Sequence, residues 1–300
     1  MRTILVWILL CLIWGTTWFF IKIGLDDLPP ISFAGFRFTL ALLILFALIK
    51  IQKIPLPKKR SEWRFLLITG LLQFSFNYSM VFWSEKYISS GLAAVLQATI
   101  PAFGLLMAWV HLPAERITGR KILAIVMGIA GVGIIFIEQL QVKDLWAFLG
   151  CAAIVAGAFA AAEASILTKA QGGAMSPVVL LFGQMLCGLL PIVLVGFVKE
   201  GNPLDFHWTG TAVFAVVHLA IVGTITAFWL YYWLLNRVES AQAMTISLVT
   251  PLVAVVVGNL ALGEKLPAQT LFGGIIILAG VGLIVFKKKS KPLIGELEHG

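Results

Sequence analysis

Apolar residues in this chain do not alternate with polar ones; they run together in long blocks separated by short polar connections. A block of about 18 to 24 apolar residues, wound as an α-helix at ~1.5 Å per residue, crosses a ~30 Å hydrocarbon core. Ten such blocks can be marked: Ile4–Ile23, Ile31–Ile49, Phe65–Trp83, Ser89–Val110, Ile122–Ile137, Leu145–Leu167, Val178–Val198, Thr209–Trp233, Ser240–Leu262 and Thr270–Phe286. The fifth is the shortest. The pattern predicts an all-α polytopic membrane protein with ten transmembrane helices. Breakers mark the connections, among them Pro29-Pro30, Pro55, Pro57, Pro113, Gly172-Gly173, Pro203 and Pro267.

The blocks repeat. Ser90, Ala93 and Pro101 recur as Ser240, Ala243 and Pro251; after a one-residue slip, Glu115 recurs as Glu264, and Ala130-Gly131-Val132-Gly133 as Ala279-Gly280-Val281-Gly282. Trp83 matches Trp233, Lys22 matches Lys169, and Arg37 aligns with Gln184. Self-similarity at half the chain length predicts two copies of one unit: residues 1–139, residues 140–287, and a cytoplasmic tail at 288–300. Five spans per copy is an odd number, so the second copy enters the membrane from the opposite side. Two inverted five-helix repeats of this kind place a binding site between them, near the midplane.

Composition agrees with the bilayer reading. Apolar residues make up 60% of the chain and charged residues 12%, about half the charged share of soluble domains. With the N-terminus inside, sixteen Lys and Arg fall on the cytoplasmic side and five outside, which predicts that both termini are cytoplasmic. The formal charge of +8 then reports topology and contact with lipid headgroups rather than nucleic-acid binding. Arg2 ahead of an apolar run resembles a signal peptide, but bulky Trp14-Gly15-Thr16-Thr17-Trp18 stands where a cleavage site would need small residues. Cys11, Cys151 and Cys187 all fall inside apolar spans, without disulfide or metal-site spacing.

Several features resemble the EamA-type transporters of the drug/metabolite transporter superfamily. They are Trp14-Gly15 with Lys22, Arg37-Phe38, and the duplicated proline-then-glutamate signature at Pro101/Glu115 and Pro251/Glu264. That resemblance covers nearly the whole chain and implies ten spans in two halves, and export from the cytoplasm.

Polar positions at helical spacing nominate a cavity. Unpartnered polar groups in hydrocarbon cost several kcal/mol, so polar stripes should face the bundle or water. Trp14 and Trp18, Arg37, Gln73 and Asn77, Gln97, Ser247, and Trp229 with Tyr232 are the candidate substrate-binding residues; interhelical hydrogen bonds or interfacial anchoring are the alternative roles. Arg37 either binds a substrate carboxylate or pairs with Asp26 or Asp27. Glu163 and His218 are candidates for proton coupling, against pairing of Glu163 with Lys169 and simple packing of His218. Pro101 and Pro251 each kink a span and are candidate hinges. Glu115 and Glu264 sit in tight turns, where each carboxylate complements the dipole of the next helix. The glycines near 131 and 280 permit close helix packing.

No clustered nucleophiles, metal ligands or phosphate-binding loop appear, so no catalytic site, metal or cofactor is expected. Secondary transport of small amphipathic metabolites across the cytoplasmic (inner) membrane, amino acids first and in the export direction, is the favoured function. Efflux of lipophilic cations with Glu163 as counter-charge is the rival, and a channel or packing scaffold ranks below both. The expected partners are a small-molecule substrate, lipid and protons; the expected unit is a monomer.

Overall fold

The computed structural model describes residues 2–84, 87–88, 90–137, 144–262 and 268–285, and among these every regular element is helical. Glu264 lies outside the described residues. The helices are α1 (Arg2–Leu25), α2 (Pro30–Ile51), α3 (Arg60–Ser84), α4 in two pieces (Ser90–Gln97 and Ile100–His111), α5 (Gly119–Ile135), α6 (Leu145–Gln171), α7 (Pro177–Glu200), α8 (Gly210–Leu235), α9 in two pieces (Ser240–Met244 and Ile246–Leu262) and α10 (Ala268–Val285). Among the described residues, eight helices are long and apolar enough to cross a membrane, where ten spans were expected, and Val95–His111 is a shorter apolar helix.

Helix starts follow local chemistry. Proline opens α2 and α7, where its missing N–H costs nothing. Asp144 caps α6 by accepting the Ala147 amide at 2.8 Å, and Thr209 caps α8 by accepting that of Ala212 at 3.1 Å. Helix α3 starts five residues before the apolar block, because Glu62 folds back onto the Lys59 amide at 3.0 Å and carries the polar first turn.

Four interruptions depart from a plain 3.6-residue helix. Leu71–Asn77 in α3 and Leu219–Thr226 in α8 are π-helical, with the wide turn seen in the Thr224 and Thr226 hydroxyls, which donate to the carbonyls five residues back. Helix α4 breaks at Ala98-Thr99 and α9 at Thr245. The expected kink at Pro101 is therefore displaced: Pro101 is the second residue of a new helical piece, a position that suits it. Pro251 does lie inside its piece.

The helices pair in a regular way. Helix α5 packs along α10, α2 along α7, α1 along α9 and α4 along α6, while α3 rests on α6 and α7 and α8 rests on α1 and α2. Close crossings occur at glycines. A methyl group at Gly188 would stand 2.5 Å from the Gly70 carbonyl, so α3 and α7 approach backbone to backbone.

Carboxylates tie the ends of the bundle. At one end Glu200 accepts the Ile31 and Ser32 amides at 3.0 and 2.6 Å, capping α2 from the far end of α7. Asp27 accepts the Thr209 hydroxyl at 2.5 Å and lies 2.9 Å from His207 Nδ1. The Thr209 hydrogen bond, then that of His207, holds the Asp27 carboxyl below the ordinary carboxylate range. Its folded pKa lies below its unfolded one, so its stabilisation is complete above roughly pH 4 and is lost as pH falls through the folded value. Asp27→Asn is expected to flatten that acid limb in thermal-shift measurements between pH 6 and pH 3; an identical limb in the variant would remove Asp27 as its source.

Candidate functional site

A cavity of about 190 Å³ opens among α1, α2, α3, α4, α6, α8 and α9. Its size is below the ~300–1,000 Å³ of drug-sized sites, so it has room for a small solute only. One wall is aromatic. The Trp14 ring lies 5.5 Å from Phe228 and 5.3 Å from Tyr231, and its Nε1 donates to the Gly223 carbonyl at 3.3 Å, inside the π-helical turn of α8. Trp18, Tyr78 and Phe82 continue that wall. Amide and hydroxyl side chains also line the cavity: Gln73, Asn77, Gln97, Ser165, Ser247 and Thr250.

Among the described residues, Arg37 is the one charged side chain lining the cavity. It is 3% exposed. Its Nε donates to Thr224 Oγ1 at 3.0 Å and its Nη2 to the Tyr78 hydroxyl at 3.4 Å, with the guanidinium over the Phe38 and Tyr78 rings at 4.9 and 5.3 Å. Pairing with Asp26 or Asp27 does not occur; Asp27 is engaged by His207 and Thr209.

Of the residues nominated from sequence, Trp14, Trp18, Arg37, Gln73, Asn77, Gln97 and Ser247 line the cavity, as do Pro251 and the unnominated Thr17, Tyr78, Ser165, Phe228, Tyr231 and Thr250. Trp229 and Tyr232 do not. Trp229 is 44% exposed on the outer surface. Tyr232 is buried and donates to Gln184 Oε1 at 2.5 Å, while Gln184 Nε2 donates to Thr69 at 2.9 Å and Thr168 at 3.0 Å. Tyr232 thus belongs to a polar knot joining α3, α6, α7 and α8. The cause is the π-helical stretch at Leu219–Thr226: its wider turn rotates the last turns of α8, so Phe228 and Tyr231 face inward where uniform 3.6-residue spacing points Trp229. Tyr231, adjacent to the nominated Tyr232, and Thr250, adjacent to Pro251, carried a signal in their neighbours.

Glu163 and His218 also lie outside the cavity lining. Glu163 pairs with His111 Nε2 at 3.1 Å, not with Lys169, and its Oε2 is buried without a partner among the described residues. His218 stacks on Phe20 with ring centroids 3.8 Å apart, and its Nε2 is likewise buried and unpartnered among the described residues. Glu115 does not serve the next helix in sequence. It reaches across to α9, accepting the Ser240 amide at 2.8 Å and hydroxyl at 2.5 Å, and pairs with Lys169 of α6 at 2.7 Å. A larger hollow of about 850 Å³ between α3, α4 and α6 is lined by Phe76, Phe103, Phe148, Phe159 and small residues, without a polar handle to orient a solute.

Apolar helices of spanning length thus surround a small cavity with an aromatic and partly polar lining. The chain belongs to the EamA-like transporter family, which matches residues 1–137 and, a second time, residues 148–286. It is 27% identical over 288 residues to a "Probable amino-acid metabolite efflux pump" of Escherichia coli (strain K12), covering 93% of each chain. It is 30% identical over 292 residues to the "Uncharacterized inner membrane transporter YedA" of the same organism, covering 95% of this chain and 92% of that one. A solved crystal structure shares the fold at a TM-score of 0.81 and 17% identity, over 95% of this chain and 96% of that one.

Proposed function

We propose that this protein is a secondary transporter of the cytoplasmic membrane that exports small amphipathic metabolites, amino acids foremost, by alternating access. The observation that carries this reading is the central cavity. It is small, draws its walls from both halves of the chain, and combines an aromatic surface with amide, hydroxyl and cationic handles. The name of the efflux-pump relative points the same way for substrate and direction, and that of the inner-membrane relative for location.

The architecture within this proposal is ten spans in two inverted five-helix repeats, residues 1–139 and 140–287, with both termini cytoplasmic. Its support is the family's double match and the helix pairing, in which each partner of α1 to α5 has its counterpart among α6 to α10. The π-helical stretches fall at matching places in α3 and α8, and α4 and α9 each break ahead of the repeated proline. Pro251 withholds the amide that would otherwise bond the Ser247 carbonyl, and the break at Ala98-Thr99 follows directly on Gln97. Both of those residues line the cavity, which suits hinges that also offer acceptors to a substrate.

Proton coupling through Glu163 or His218 is a second reading, favoured by the buried, unpartnered oxygen of the one and nitrogen of the other. Efflux of lipophilic cations has less support, because the charge at the cavity is the cation of Arg37 and Glu163 lies elsewhere. The test is purified protein in liposomes, given labelled amino acids or cationic dyes with and without a pH gradient. Saturable amino-acid flux is expected; ohmic leak would mark a channel and no flux a scaffold. Undiminished pH-driven rates in both Glu163→Gln and His218→Ala would remove the coupling role.

A further inference from the structure

A buried guanidinium without a counter-charge is an unusual object in a membrane protein. Taking the ion out of water costs several kcal/mol, and proteins normally recover this with a carboxylate. Arg37 has none: among the described residues no carboxylate lies within 4.0 Å of it. Its two hydrogen bonds, to Thr224 and Tyr78, engage two of its five N–H donors.

The same place in the other half of the chain makes the contrast plain. Gln184, which aligns with Arg37 in the repeat, is 0% exposed, and both ends of its amide are bonded, to Tyr232 on one side and to Thr69 and Thr168 on the other. That amide is closed upon itself within the bundle. Arg37 borders the cavity instead.

The surroundings also hold the guanidinium in one orientation. Thr224 Oγ1 accepts from Nε and donates onward to the Leu219 carbonyl at 2.9 Å, a bond that closes the π-helical turn. The hydroxyl is thereby fixed as an acceptor for Arg37. The Phe38 and Tyr78 rings flank the guanidinium. With Nε held by Thr224, the donors left over form a fork, matched to a planar, two-oxygen anion.

We propose that Arg37 is the specificity-determining residue of the cavity, anchoring the carboxylate of small monocarboxylate substrates whose apolar body lies on the Trp14, Phe228 and Tyr231 wall. The inference rests on the transporter reading and refines it. A single guanidinium in a cavity of about 190 Å³ suits one carboxylate better than a phosphate ester of higher charge. It repels a substrate that carries only an ammonium group.

Liposomes containing the full chain test this with three sets of probes: labelled L-leucine and L-phenylalanine, the amines isopentylamine and phenethylamine that lack the carboxylate, and glycerol 3-phosphate. The wild type is expected to carry the amino acids saturably and to exclude the amines and the phosphate ester. Arg37→Gln should lower amino-acid uptake at sub-saturating concentration ~10- to 100-fold, the worth of a charge-assisted hydrogen-bonded pair. Arg37→Lys, which keeps the charge and loses the fork, should recover part of that loss, and this recovery separates anchoring from a failure to fold. Size-exclusion profiles of all three proteins establish folding independently. Wild-type rates and an unchanged acid-to-amine preference in a folded Arg37→Gln protein would overturn the anchoring role while leaving the transporter reading standing. Phosphate-ester flux that depends on Arg37 and exceeds amino-acid flux would overturn the carboxylate assignment. Absence of saturable flux of any probe in the wild type would overturn both readings.

Discussion

Replacing Glu115 with alanine is expected to lower stability by about 3 kcal/mol, seen as a fall in the apparent melting temperature of the purified protein in detergent. Three groups lose a bond at once. The Ser240 amide and hydroxyl, at 0% residue exposure, are left without the carboxylate that caps α9, and the Lys169 ammonium, 16% exposed, loses its counter-charge. Glu115 itself is 10% exposed, so little water is at hand to replace it. Glu115→Gln, which keeps an acceptor for Ser240, should cost about 1 kcal/mol. Lys169→Met in the Glu115→Ala background should cost less than it does alone, because the pair acts as a unit. Strict additivity of the two would mean that the ion pair contributes nothing.

This cluster illustrates how far the sequence can be read. That Glu115 is structural follows from its place in a short turn, since a carboxylate beside helix N-termini has a physical task without a substrate. Which N-terminus it serves does not follow, because the choice between α5, next in sequence, and α9, next in space, is made by tertiary packing. The spans themselves are legible because block length and apolar content leave few alternatives to a helix in lipid. Their internal geometry is not. A π-helical turn costs little and has no strong signature in residue type, yet it shifts every position beyond it, and only uniform winding would bring Trp229 and Tyr232 to the cavity. In α3 the π-helical stretch begins before the stripe, at Leu71, and Gln73 and Asn77 still line the cavity. Arg37 stands out in the sequence as an ionisable group in a span; that it finds no carboxylate is not evident with Asp26 and Asp27 nearby in the chain. The structure spends Asp27 on Thr209 and His207 instead.

The second large effect is expected far from any of these polar groups, where α5 crosses α10. A methyl group built on Gly131 would stand 2.7 Å from the Gly273 carbonyl oxygen, and one built on Gly273 would stand 2.6 Å from the Gly131 carbonyl oxygen. Each glycine therefore makes room for the backbone of the other, and no side-chain rotamer can relieve an intrusion. Gly273→Ala should force the helices apart and cost about 2–3 kcal/mol, although alanine is the better helix former by about 1 kcal/mol. Once the crossing has opened, Gly131→Ala should add less than its own single-variant cost. Gly133 is the internal control: among the described residues nothing lies within 4 Å of the position its Cβ would take, so Gly133→Ala should leave the melting temperature unchanged or slightly raised. Among the described residues, neither α5 nor α10 contributes to the cavity lining. Folded Gly273→Ala protein should accordingly bind and carry substrate as the wild type does while melting earlier. Equal melting temperatures for Gly273→Ala and Gly133→Ala would show that the α5–α10 crossing does not hold the bundle together.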